Sequence, residues 1–163
     1  MFFWSLQILI EPIIYAVGLY FSYLFIKGKD MNFTHKLILL LLLLPFVVFL
    51  STDLTLLGVD IYDCNAIEGP ISLYYTYIYE ILSIISIFAI SIYTYIKTED
   101  AKRKNEIKYF SIGIVLFLLA FSWGNIIGSF TDNWTLAQAG LIGMPIFFGF
   151  LAYITVKFKT FNI

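Results

Sequence analysis

A chain of 163 residues has the length of one domain, but 61% of it is hydrophobic, 20% aromatic and only 13% charged, about half the charged share of a soluble globular protein. A soluble fold of this size lacks the interior to hide so much apolar surface, whereas a mean hydropathy of +0.90 with apolar runs of about 20 residues suits a bilayer. A net charge of −1 supplies no basic surface to neutralise phosphates, so no nucleic-acid partner is expected.

The start, Met1 to Gln7, lacks the basic region of a secretory signal, and the apolar run behind it is interrupted by Glu11 and Pro12. It reads as a retained first helix. The first span is expected over Trp4–Ile26, closed by Lys27-Gly28-Lys29-Asp30, with Gln7, Glu11, Tyr15, Gly18 and Ser22 on one face. The second runs from about Lys36 to Leu54. Its unbroken leucines, Leu39 to Leu44, have no polar side and suit lipid, and Pro45 predicts a kink because it removes a backbone bond. Ser51 to Thr55 then lead into an acidic outer loop holding Asp60, Asp63, Cys64 and Glu68.

The third span, Ile71–Ile96, carries Glu80 in its middle. At 100° per residue Thr76, Glu80, Ser83, Ser91 and Thr94 fall within about 60° of one another, a polar stripe that asks for neighbouring helices rather than lipid. The most charged stretch, Lys97 to Lys108, comes next and is expected to be a connection outside the hydrocarbon. The fourth span, Tyr109–Phe130, has Ser111, Ser122, Asn125 and Ser129 on one side and a Gly124-x-x-x-Gly128 pair for close helix approach. After a turn at Thr131–Trp134, the fifth span, Thr135–Val156, is rich in small residues (Ala137, Ala139, Gly140, Gly143, Gly149) and holds Pro145. A tail, Lys157 to Ile163, ends the chain.

The fold class expected is therefore an all-α integral membrane protein, a single domain (residues 1–163) of five transmembrane helices in the cell membrane. All ten Lys and Arg residues fall in the first and third connections, the adjoining helix end and the tail. The second and fourth connections carry only acids, Asp60, Asp63 and Glu68, then Asp132. The positive-inside rule then sets the N-terminus outside and the C-terminus in the cytoplasm.

Under that topology Glu11, Asp53, Glu80 and Asn125 lie in the outer half of the bilayer, with no membrane-embedded Lys or Arg to pair with them. Burying an ionised carboxylate costs several kcal/mol, so Glu11 and Glu80 are expected to be hydrated, protonated or paired. One reading is an acidic outer cavity rimmed by Trp4, Tyr74, Tyr77, Trp123 and Trp134 that holds a cation, a proton or a small amine. The other makes Glu11 and Asp53 interfacial, Glu80 a protonated packing group and the aromatics an interfacial belt. His35 stands alone at the inner interface, which excludes a bis-histidine haem. The one cysteine, Cys64, permits neither an internal disulfide nor a paired-cysteine metal site. With no lysine inside a span, retinal is disfavoured, and no cofactor, metal or catalytic constellation is expected.

The order of a basic segment (Lys102-Arg-Lys-Asn-Glu-Ile-Lys108), a helix, a short outer turn, a small-residue helix with Gly140 and Pro145, and the exit Ile154-Thr-Val-Lys157-Phe-Lys159-Thr-Phe161 resembles the seven-helix membrane sensor region at the N-terminus of some bacterial histidine kinases. This chain would correspond to the last five helices. No phosphoacceptor-histidine motif or ATP-binding glycine box is present, so the resemblance implies sensing or relay without enzymatic activity, with a cytoplasmic signalling protein or a second copy as partner beside the lipid bilayer. A small solute-binding or transport subunit is the alternative, since an intramembrane Glu suits a coupled carrier.

Overall fold

The computed structural model describes residues 2–50, 52–60, 66–131 and 134–158. The expectations for Asp63, Cys64, Asp132 and the tail beyond residue 158 lie outside the described residues, as do those for the Ser129 and Trp134 side chains. The chain is mostly helical, and among the described residues four helices are long and apolar enough to cross a membrane: Phe3–Lys27, Ile71–Lys97, Ala101–Gly128 and Thr135–Lys157.

Helix α1, Phe2–Lys27, accommodates Pro12 and ends at Gly28. The amide of Gly28 bonds the Leu24 carbonyl at 2.9 Å and its φ of 63° is the left-handed conformation that closes helices at little steric cost for glycine. Helix α2, Phe33–Val48, is shorter than the expected 36–54 span. Its 16 residues rise about 24 Å, less than the ~30 Å of a hydrocarbon core. What stops it is hydroxyl chemistry: Thr52 Oγ1 and Thr55 Oγ1 both donate to the Phe49 carbonyl, at 2.8 and 2.7 Å, giving that carbonyl partners other than a continuing helix.

The acidic stretch is not wholly loop, and the fold is not all-α. Strand β1, Leu56–Val59, pairs antiparallel with β2, Ala66–Glu68, in the register Leu56↔Glu68, Gly58↔Ile67, Val59↔Ala66, with an irregularity between Leu56 and Gly58. The hairpin is tied to the segment that leads into α3: the Ile71 amide bonds the Leu54 carbonyl at 2.8 Å and Ser72 Oγ donates to the Thr55 carbonyl at 2.6 Å. That segment is a π-helical turn, Ile71–Tyr75, and it opens directly into helix α3, Thr76–Lys97.

The charged segment is helical rather than a loop. Helix α4 runs from Ala101 to Thr131, because Asp100 caps it through a 3.0 Å bond from the Lys102 amide to Oδ1 and the Lys, Arg and Glu residues behind are good helix formers. Its 31 residues span about 46 Å, so its first turns outreach any bilayer core. The expected fifth span is broken into α5 (Trp134–Ala137), a 3₁₀ turn (Gln138–Ile142) and α6 (Gly143–Phe158). Pro145 sits in the first turn of α6, where its missing N–H leaves no gap in the ladder.

The chain divides into two compact units, one of Met1–Tyr20 and Asp30–Ser83, the other of Phe21–Lys29 and Ile84–Ile163. In the first, Phe46 is fully buried, with its ring 5.1 Å from Tyr75 and 6.1 Å from Tyr79. The Tyr75 hydroxyl donates to the Leu42 carbonyl at 2.9 Å. In the second, Phe25 stacks on Phe110 at 4.0 Å over a core of Ile87, Ile107, Ile114 and Leu118, and Phe117 stacks on Phe147 at 4.9 Å. Within the leucine run, Leu40, Leu41 and Leu44 are 63%, 55% and 50% exposed, a patch that water would penalise and lipid would not.

Candidate functional site

The polar stripe of α3 turns inward. Thr76, Glu80, Ser83 and Ser91 are all buried, Glu80 at 1% exposure, although the rest of the helix is strongly apolar. The serine hydroxyls are satisfied locally: Ser83 Oγ donates to the Tyr79 carbonyl at 2.8 Å and Ser91 Oγ to the Ile87 carbonyl at 2.7 Å, the back-bonding that lets serine sit inside a helix. Glu80 is thus the acid of a buried stripe, and burying a carboxyl there is the costliest placement on the helix.

The predicted site residues divide between the two units. Glu11, Asp53, Tyr77 and Glu80 belong to the first, Trp123 and Asn125 to the second. Glu11 and Tyr77 are half-buried, while Asp53 is exposed on the turn between α2 and β1. In the second unit Asn125 is half-buried and Trp123 is 48% exposed. Of the other rim aromatics Trp4 is half-buried and Tyr74 exposed.

Two features escaped the sequence reading. The Tyr79 side chain is 3% exposed and its hydroxyl has no hydrogen-bond partner among the described residues. Tyr79 lies three residues after Thr76 and four before Ser83, so helical periodicity already set it beside the stripe. The second is Arg103. Its Nη1 pairs with Glu106 Oε2 at 2.7 Å, its Nη2 donates to the Phe25 carbonyl, and its guanidinium lies 5.3 Å from the Phe25 ring. The i,i+3 spacing of Arg103 and Glu106 signals the pair, but only the fold reveals that the same guanidinium caps the last carbonyls of α1, where a cation is favoured.

Around this, lysines rest on tyrosines. Lys27 and Lys97 lie 4.7 and 4.5 Å from the Tyr93 ring and Lys104 lies 5.4 Å from Tyr95, the amphipathic pairing common where apolar and aqueous zones meet. In the connection between α1 and α2, Asp30 accepts from Lys36 Nζ at 2.6 Å, from the Tyr20 hydroxyl at 2.8 Å and from the Met31 amide at 2.7 Å. The Lys36 ammonium first, and the Tyr20 hydroxyl next, hold its carboxyl below the usual carboxylate range.

Comparison with protein families, with curated proteins and with solved structures finds no match.

Proposed function

We propose that this chain is a membrane-embedded sensory relay, similar in plan to the input region of bacterial histidine kinases, with five crossings, its N-terminus outside and its C-terminus in the cytoplasm. The segregation of charge supports that orientation. Lys27, Lys29 and Lys36 flank the α1–α2 connection and Lys97 and Lys102 to Lys108 the α3–α4 connection, whereas Asp53, Asp60 and Glu68 lie between α2 and α3. The exposed leucines of α2 suit a lipid-facing crossing, and its shortfall in length is met by local thinning of the bilayer.

The observation that carries the relay is the burial of Glu80 in a helix that continues unbroken to Lys97. A carboxyl in that position is sensitive to a small cation or an amine that reaches it from the outer side. A ligand shifts a conformational equilibrium only by binding its two states differently, and a buried charge makes that difference large. A rigid helix then carries the shift about 25 Å to its far end, where the basic segment meets the cytoplasm.

The test uses the full chain in vesicles, with a spin label on Lys104→Cys in a Cys64→Ser background. Label mobility is expected to change on adding a small amine or cation, and to lose that response in Glu80→Gln. An identical response in both proteins would overturn the relay. Movement of amine or cation across the vesicles with the label unchanged would assign the chain to solute transport instead.

A further inference from the structure

A groove of about 500 Å³ runs between the second half of α3 and the first half of α4, within the second unit and within the usual size range of ligand clefts. None of the six predicted site residues lines it. Phe88 and Ile92 wall it on one side and Ile112, Val115 and Leu116 on the other, and Tyr95 and Lys108 stand at one end. We infer that this groove holds one acyl chain of an anionic phospholipid, with the phosphate at Lys108 and Lys104.

The lining selects hydrocarbon. Its two serine hydroxyls are engaged with protein acceptors: Ser111 Oγ donates to Ser91 Oγ at 2.8 Å, and Ser91 Oγ to the Ile87 carbonyl at 2.7 Å. Short of Tyr95 and Lys108 at the mouth, a polar solute would find no free donor along these walls, and desolvating it there would go uncompensated. From Ile107 to Leu116 the groove extends about 14 Å along α4, close to the ~15 Å of one leaflet.

The mouth selects an anion. Lys104 and Lys108 are one helical turn apart on the same face, and Lys104 Nζ rests 5.4 Å from the Tyr95 ring. Among the described residues the ion pairs are Lys36–Asp30 and Arg103–Glu106, so neither lysine is neutralised by a carboxylate. Glu106, two residues from each, faces away from both and is taken by Arg103, and Asp100, one turn before Lys104, accepts from the Lys102 amide as the helix cap. A second copy of the chain is a poorer occupant, because it would bring the same lysines to the same mouth and bury them, against the usual depletion of lysine from interface cores. The site requires only that α3 and α4 cross a bilayer, and is independent of the relay.

The experiment is native mass spectrometry of the detergent-purified full chain offered equimolar palmitoyl-oleoyl phosphatidylglycerol and phosphatidylcholine. One phosphatidylglycerol per chain is expected, retained at least roughly tenfold over phosphatidylcholine, since each lysine near an anionic headgroup contributes about fivefold. Lys104→Gln with Lys108→Gln, both at the surface, should reduce the preference to about twofold or less. Ile112→Trp, which fills the groove at an exposed position, should reduce retention of both lipids while the helical circular dichroism is unchanged. Equal retention of the two lipids by the wild type would overturn the inference, as would a preference that survives the double variant. So would displacement of the lipid by glycerol phosphate alone, or dimer formation through Ile92→Cys at the lowest protein concentrations.

Discussion

Gly140→Ala tests whether the broken last helix owes its course to close contact with α4. A Cβ built on Gly140 would lie 2.3 Å from the Ala120 carbonyl oxygen, 3.0 Å from the Gly124 nitrogen and 3.2 Å from its Cα, all backbone atoms that cannot swing aside. Ordinary contact begins near 3.4 Å, so the two segments must part by about 1 Å or the 3₁₀ turn must deform. Overpacking of this kind costs about 1–3 kcal/mol, and the conformational gain of alanine over glycine offsets about 0.5–1 of it. A net loss of about 1–2 kcal/mol in a chain of this length lowers Tm by about 2–8 °C. Gly149→Ala is the control: it lies within α6, with nothing within 4 Å of the new methyl, and should raise Tm by about 2–4 °C through helix propensity alone. The assay is intrinsic-tryptophan differential scanning fluorimetry in detergent. A Gly140→Ala protein that melts at or above the wild-type temperature would refute the close approach.

Tyr79→Phe removes a buried hydroxyl that has no partner among the described residues and keeps the edge contact with Phe46. Relief of an unsatisfied group predicts an equal or higher Tm, by up to a few degrees, and a clear fall would show that the hydroxyl is bonded. Arg103→Lys keeps the charge but not the fork that serves Glu106 and the α1 carbonyls together, so a loss of about 1–3 kcal/mol is expected, read from the urea midpoint of the purified protein. Because Asp30 titrates below its unfolded value, its contribution is full at neutral pH and is lost as the pH falls through the folded value. Asp30→Asn should therefore melt slightly below wild type at pH 7, with a gap that narrows as the pH falls below the usual carboxylate range, and a gap independent of pH would contradict the assignment.

The long apolar stretches, the helical nature of four of them and the inward stripe of α3 were legible from residue type and periodicity, since those depend on local spacing and on which side chains water rejects. Glu80 belongs to that legible part, as the acid of a buried face. The end of α2 was not legible, because apolar residues continue in sequence from Phe46 to Leu50, and nothing local shows that two threonine hydroxyls take the Phe49 carbonyl. Charge made Lys97 to Lys108 look like a loop, although Asp100 and the good helix formers behind it start α4 within that segment. The Gly124-x-x-x-Gly128 pattern pointed to close helix approach, and Gly124 does meet Ala137 and Gly140, but that Gly140 and Gly143 also press on Ala120 was not in the spacing. Which glycine lets two backbones meet, which carbonyl an arginine caps and where a groove opens are all set by residues distant in sequence. Local pattern carries the periodicity of each helix but not the neighbour its face will meet.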